Sequence, residues 1–294
     1  MIVLLIKSMA KLDNFSGLTR PQEDLLKKHY CFGSLALLNL NLGRDNFTFH
    51  TRISEKAGAH PRASAWLQFK NDLFLIKGKR RNDQFAHYKL EVTPGKLLPN
   101  AKAVFECQIH DQNDADGTAT FEYNHEQFRG KASYLTSSQV LRLQGTFGKP
   151  HLGFGFDNKF SIDSVSLTSH VQAFWYIKND ARLVLKHAGK TFNNFGQFTA
   201  SYLHAVSSKA NIGSFVTADW ATRDTYLEVG GDFQYDEKTW VKGKLNSEGR
   251  VGLALTRLVA KNLRLSVATD LTASSLLSHN GDPFGFGLRI DFSD

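Results

Sequence analysis

Cysteine, proline and long apolar runs are all scarce in this 294-residue chain, and each scarcity removes a class of protein. The two cysteines, Cys31 and Cys107, make neither a disulfide framework nor a metal-ligand spacing. No stretch of about 18 apolar residues occurs, so no transmembrane helix is expected. The longest candidate, Ile2 to Ile6, is broken by Lys7. It is shorter than a signal-peptide core and lacks a small-residue cleavage pattern. There is no HExxH pair, no Gly-x-Ser-x-Gly elbow and no P-loop, and the 11 histidines are scattered. The chain therefore reads as a non-enzyme without metal or cofactor.

Charge of one sign is not concentrated either. The formal net charge is +8, which favours anionic partners such as acidic lipid or anionic solutes. The only dense basic run is Lys79-Arg80-Arg81, whereas a nucleic-acid surface gathers its cations into a stripe. Nucleic acid is excluded on that ground. Gly and Phe are abundant, 23 of each, against six Pro. Such a balance suits many strands joined by tight turns.

Helical spacing is strong in one place. Thr19-Arg20-Pro21-Gln22 reads as a helix start, with Glu23 and Asp24 at the positive end and Lys27 and Lys28 at the negative end. The predicted helix covers 20–29, with Leu25 and Leu26 as its apolar contacts. From residue 33 the period becomes two. Phe284, Phe286, Leu288, Ile290 and Phe292 alternate with Gly285, Gly287, Arg289 and Asp291. The same beat runs through Phe47 to Ile53, Ala103 to Ile109, Leu141 to Phe147, Leu227 to Tyr235, Val251 to Leu255 and Leu263 to Leu271. Strand side chains alternate between faces, so one face of each segment is apolar and the other small or charged. Turn residues such as Asn179-Asp180 and Ser247-Glu248-Gly249 punctuate the segments. No compositional break divides 33–292.

A soluble sandwich rarely needs so many consecutive hairpins. A closed barrel in lipid needs strands of about 9–11 residues, apolar outside and polar inside. Closure also removes the strand edges that hydrocarbon cannot satisfy. A barrel of this size is too wide for side chains to fill. Phe147, Tyr235 and Phe284 lie at segment ends on the apolar phase, as an aromatic girdle requires. The opposite phase collects Arg52, Lys102, Arg142, Arg182, Lys186, Lys242, Lys244, Arg264 and Arg289. Against these stand Glu106, Glu122, Glu228, Asp232, Asp270 and Asp291. Lys242 and Lys244 are the first choice for anion selectivity, and Arg20, Lys27 and Lys28 form a basic constriction on the helix. The bland alternatives are a solvated strand face and dipole capping. His50, His110, His125, His170 and His204 read as lumen or interface residues.

Asp24-Leu25-Leu26-Lys27-Lys28-His29-Tyr30-Cys31-Phe32-Gly33 resembles the beginning of the mitochondrial porins, the voltage-dependent anion channels. There a short helix of acids and lysines ends in a Tyr-x-Phe-Gly turn into the first strand. Asp224 to Asp236, Trp240 to Asn246, Gly249 to Leu258 and Leu263 to Asp270 resemble that family's last hairpins, and Phe284 to Phe292 its terminal strand. With this resemblance in view, the segments number about 19. The fold it implies is all-β: a transmembrane β-barrel of about 19 strands with a short N-terminal α-helix in the pore. An odd number sets the first and last strands parallel. Met9 aligns with the family's usual start, so 1–11 is expected to be an extension, 12–32 a pore-associated amphipathic helix and linker, and 33–294 the barrel.

The resemblance further implies a mitochondrial outer-membrane channel for passive diffusion of ATP, ADP, phosphate and small ions, weakly anion-selective and voltage-gated. Membrane lipid and other copies or a larger membrane complex are its implied partners. Two departures stand out. Asn100-Ala101-Lys102 replaces a Gly-Leu-Lys triplet tied to nucleotide contact, and Lys77 stands on the fourth strand where some members carry a lipid-facing acid. Two other readings accept the same rhythm: the barrel subunit of the outer-membrane protein translocase, and a porin-like structural subunit of a larger mitochondrial membrane complex.

Overall fold

In the computed structural model the described residues are 12–28, 30, 34–44, 46–56, 62–82, 85–95, 98–111, 114–189, 196–272 and 285–293. The expected extension over 1–11, and Phe284, lie outside them. A short 3-10 turn at Phe15–Gly17 leads into helix α1, Arg20–Lys27. Pro21 lies in its first turn, where a missing N–H costs nothing. The helix ends earlier than the 29 expected: Lys28 is already extended.

Nineteen strands follow. They are β1 Ser34–Arg44, β2 Phe47–Lys56, β3 Arg62–Lys70, β4 Phe74–Arg81, β5 Ala86–Val92, β6 Ala101–Asp111 and β7 Asp114–Asn124. Next come β8 Phe128–Leu135, β9 Val140–Lys149, β10 Leu152–Ser161, β11 Ser166–Lys178, β12 Ala181–Gly189 and β13 Gln197–Ser207. The last are β14 Ala210–Asp219, β15 Thr225–Gln234, β16 Thr239–Asn246, β17 Arg250–Ala260, β18 Leu263–Thr272 and β19 Gly285–Ser293. Each pairs antiparallel with its sequence neighbours, and most connections are short. The Asn179-Asp180 turn uses a left-handed Asn179, φ 50°, as tight hairpins require.

β1 then pairs β19 in parallel, with Leu38 opposite Ile290 and Leu40 opposite Phe292. That seam closes the sheet into a barrel and leaves no unpaired edge. The odd strand count makes the seam parallel.

Polarity is reversed relative to a soluble protein. Leu67, Phe105, Phe121, Val229 and Leu253 are spread around the ring, and each is about half exposed on the outer face (46% to 53%). Water-soluble monomers rarely expose apolar patches beyond a few hundred Å²; a continuous apolar skin is what lipid selects. Phe147 and Tyr235 are exposed at strand ends, in keeping with a girdle. The buried apolar cluster lies inside the barrel: Leu12, Phe15 and Leu18 pack on Ala173, Trp175 and Val184 of the wall.

Candidate pore lining and the helix docked on it

The wall's inner face accepts the N-terminal segment because the facing residues are small or flat. Gly155 of β10 leaves room for Phe15: a Cβ there would stand 2.8 Å from Phe15 Cδ2. A Cβ at Gly213 would stand 2.7 Å from Leu25, and one at Gly230 would stand 2.8 Å from Leu26. Gly153 likewise makes space for the Trp175 ring. Leu25 and Leu26, with Gln22, are thereby buried on one side of α1. Arg20, Lys27 and Lys28 are exposed on it.

Polar anchors hold the same segment. Arg182 Nη2 donates to Asp13 Oδ2 at 2.8 Å and to the Leu18 carbonyl at 2.7 Å. Thr146 Oγ1 donates to the Asp13 carbonyl (3.0 Å), Arg129 Nη1 to Asn14 Oδ1 (3.1 Å) and Lys186 Nζ to Thr19 Oγ1 (2.7 Å). At the far end Lys242 Nζ donates to the carbonyls of Asp24 (3.1 Å) and Leu25 (3.5 Å). An ammonium there meets carbonyls of the last helical turn and the negative end of the helix dipole, the Asp24 carbonyl also accepting the capping N–H of Lys28.

The sequence-derived residues separate into three groups. Arg182, Lys186 and Lys242 hold the N-terminal segment. Lys102, Arg142, Lys244 and Arg289 are neutralised on the wall. Lys102 lies 2.8 Å from Glu91, and Arg142 Nε donates to Asp157 Oδ1 at 2.8 Å. Lys244 lies 2.8 Å from Glu228, and Arg289 2.8 Å from Asp291. Arg20, Lys27, Lys28, Arg52 and Arg264 are exposed, with no carboxylate at ion-pair distance among the described residues. Tyr30, in the linker after α1, lies under Lys244 Nζ at 4.8 Å. Burial, and then the charges of Glu228 and Asp232, push its hydroxyl well above the ordinary phenol value, so the ring stays neutral.

Lys77 departs from expectation. It pairs across the sheet with Gln68 and Lys89 on the face that carries Trp66 inward, while Ile76 and Gly78 face outward. No lipid-facing charge stands at that point. Leu75 and Ile76 are both apolar, so period two alone left the phase of β4 ambiguous. Sequence reasoning also missed Lys79, Arg129 and Asp157; the Lys77-x-Lys79-x-Arg81 spacing was the available signal for the first. His50 faces inward on β2, whereas His170 and His204 lie on outward positions of β11 and β13.

A closed barrel with an apolar skin, a charged interior and a helix docked within it defines a porin-type membrane channel, not an enzyme. The model of the eukaryotic porin family matches residues 13–279, and the chain belongs to that family. It is 26% identical over 242 residues to mitochondrial outer membrane protein porin 2 of Arabidopsis thaliana, covering 80% of this chain and 83% of that one. With the voltage-dependent anion-selective channel of Drosophila melanogaster it shares 23% identity over 291 residues, 95% and 98% of the two chains. Among solved structures, a triple mutant of the Rh. blastica porin superposes with a TM-score of 0.50 at 9% identity, over 89% of this chain and 96% of that one. The chain is a channel protein of the mitochondrial outer membrane.

Proposed function

We propose that the barrel lets anionic metabolites diffuse passively across the outer membrane, with a weak preference for anions over cations. In this reading 12–32 acts as the pore-associated element and 33–294 as the conducting wall. One observation carries the proposal. The inward carboxylates Glu91, Glu106, Glu122, Asp157, Glu228 and Asp291 are taken up by strand cations and Asp232 is held by Asn211, whereas Arg20, Lys27, Lys28 and Arg52 open onto the lumen with no carboxylate at ion-pair distance among the described residues. The mobile ion therefore meets a positive excess.

The magnitude is small. At water-like dielectric a unit charge a few ångströms away is worth about 1 kcal/mol, and salt screens it. ATP and ADP carry several charges and feel the same field more strongly. The test is a planar bilayer with the reconstituted chain under a KCl gradient. The expected reversal potential has the sign of chloride preference and shrinks as salt is raised from about 0.1 M to 1 M, where the screening length falls from about 10 Å to 3 Å. A potential of cation sign, or no conductance, would overturn the proposal.

A further inference from the structure

Amide side chains on the strands keep to the inner side of the wall, with one exception. Gln68, Gln108, Gln144, Asn211 and Gln234 all take inward positions. Asn158 on β10 and Gln172 on β11 face outward. The register fixes their direction. Phe154 pairs with Phe174, Phe156 with Gln172 and Asn158 with His170, all on the lipid side. Asp157 and Trp175, which alternate with them, point into the barrel. Gln172 also stands directly opposite His187 of β12. Four polar side chains on three adjacent strands therefore share one patch of the outer skin.

The patch is set below the rim. Gln172 is the seventh of the thirteen residues of β11, and Asn158 the seventh of the ten of β10. Phe160, also outward, stands between Asn158 and the strand end. Gln172 is exposed, and neither amide has a hydrogen-bond partner among the described residues. Hydrocarbon offers such a group nothing, and an amide taken out of water without a hydrogen bond is costly. Polar side chains at membrane depth are instead used as contacts between neighbouring segments.

The chemistry of the patch selects the neighbour. Each amide carries both donors and an acceptor, so the patch is complementary to itself and needs no charge opposite it. An acyl chain supplies neither, and a lipid phosphate lies at the surface, above the middle of β11. A second barrel turned about a two-fold axis along the membrane normal brings the same groups to the same depth. Phe154, Phe156 and Phe174 surround the amides with apolar contact area.

We propose that the outer face of β10 to β12 around Asn158 and Gln172 is a contact with a second copy of this chain. The contact is independent of what the pore conducts.

The test uses the full chain with Cys31→Ser and Cys107→Ser, reconstituted in vesicles at a high lipid-to-protein ratio. Phe174→Cys is introduced beside the amides, or Leu67→Cys on β3 across the ring, and each chain is treated with a short bis-maleimide. Phe174→Cys is expected to give a band of twice the mass, and Leu67→Cys only a trace of it. Adding Asn158→Leu and Gln172→Leu to the Phe174→Cys chain should weaken the pairing roughly tenfold, read as a lower crosslinked fraction at each lipid ratio. Equal crosslinking at 174 and 67, or a fraction unmoved by the two leucines, overturns the contact. The comparison of cysteine positions keeps both amides, so it decides the matter even if the leucine chain failed to insert. Fluorescently labelled chains should bleach in two steps. Single-step bleaching at every lipid ratio would leave the patch to lipid and overturn the contact as well.

Discussion

Lys242 faces inward, as the alternation with Val241 and Gly243 requires, yet its ammonium is spent on the carbonyls of Asp24 and Leu25. Arg52 faces inward with no such engagement among the described residues. Selectivity and helix attachment are therefore mixed at one residue and separate at the other. Reversing charge at Lys242 puts a carboxylate against helix carbonyls, a loss of about 2 kcal/mol, or roughly a thirtyfold rise in the released helix. Lys242→Glu is expected to move the reversal potential toward cations and to speed tryptic cutting after Lys27 and Lys28. Arg52→Glu should move the potential by a similar amount and leave cutting unchanged. Equal cutting in both variants would mean that Lys242 does not hold the helix. The inward direction of Lys242 was legible from spacing of two. Its partner was not, because the bonded groups are 218 positions apart and no local pattern encodes that encounter.

At the scale of the element, α1 spans eight residues, too short to nucleate a stable helix alone in water. Its persistence comes from the wall: Leu25 and Leu26 over the glycines at 213 and 230, Arg182 and Lys186 at its start, Lys242 at its end. A synthetic peptide of residues 12–28 should accordingly give a coil spectrum by circular dichroism in buffer, and substantial helix there would contradict this dependence. The helix was visible in the sequence through Thr19, Pro21 and the acid-to-lysine order. Its length was not: no local signal marks the stop, and Lys28 is already extended. Strands were easier to place because a lipid-facing side and a wet side impose opposite chemistry at every step. β4 is the exception that shows the cause. Where Leu75 and Ile76 are both apolar, the rhythm carries no phase, and only pairing with Trp66 and Gln68 on β3 orients Lys77 and Lys79.

Across the whole molecule the decisive contact is the seam. The register sets Leu38 beside Ile290 with both chains running the same way. With Cys31 and Cys107 replaced by Ser, the pair Leu38→Cys and Ile290→Cys is expected to oxidise within one chain, seen as a reducible shift in gel mobility. A pairing of the two strands in opposite sense would bring other positions together and leave these two thiols free. Closure was legible in outline, since a sheet with a hydrocarbon-facing side tolerates no edge. The distribution of charge around the ring was not, because it depends on which strands the helix covers and which acids their neighbours supply.

An odd ring has a directional consequence. The first strand departs from one side of the bilayer and the nineteenth arrives at the other, so Ser34 and Ser293 look into different compartments. An epitope appended after the last strand would thus report on the same compartment as the hairpin between Arg44 and Phe47, and opposite to the one joining Leu135 and Val140. A single protection assay on intact organelles would then assign every loop of the barrel to its side.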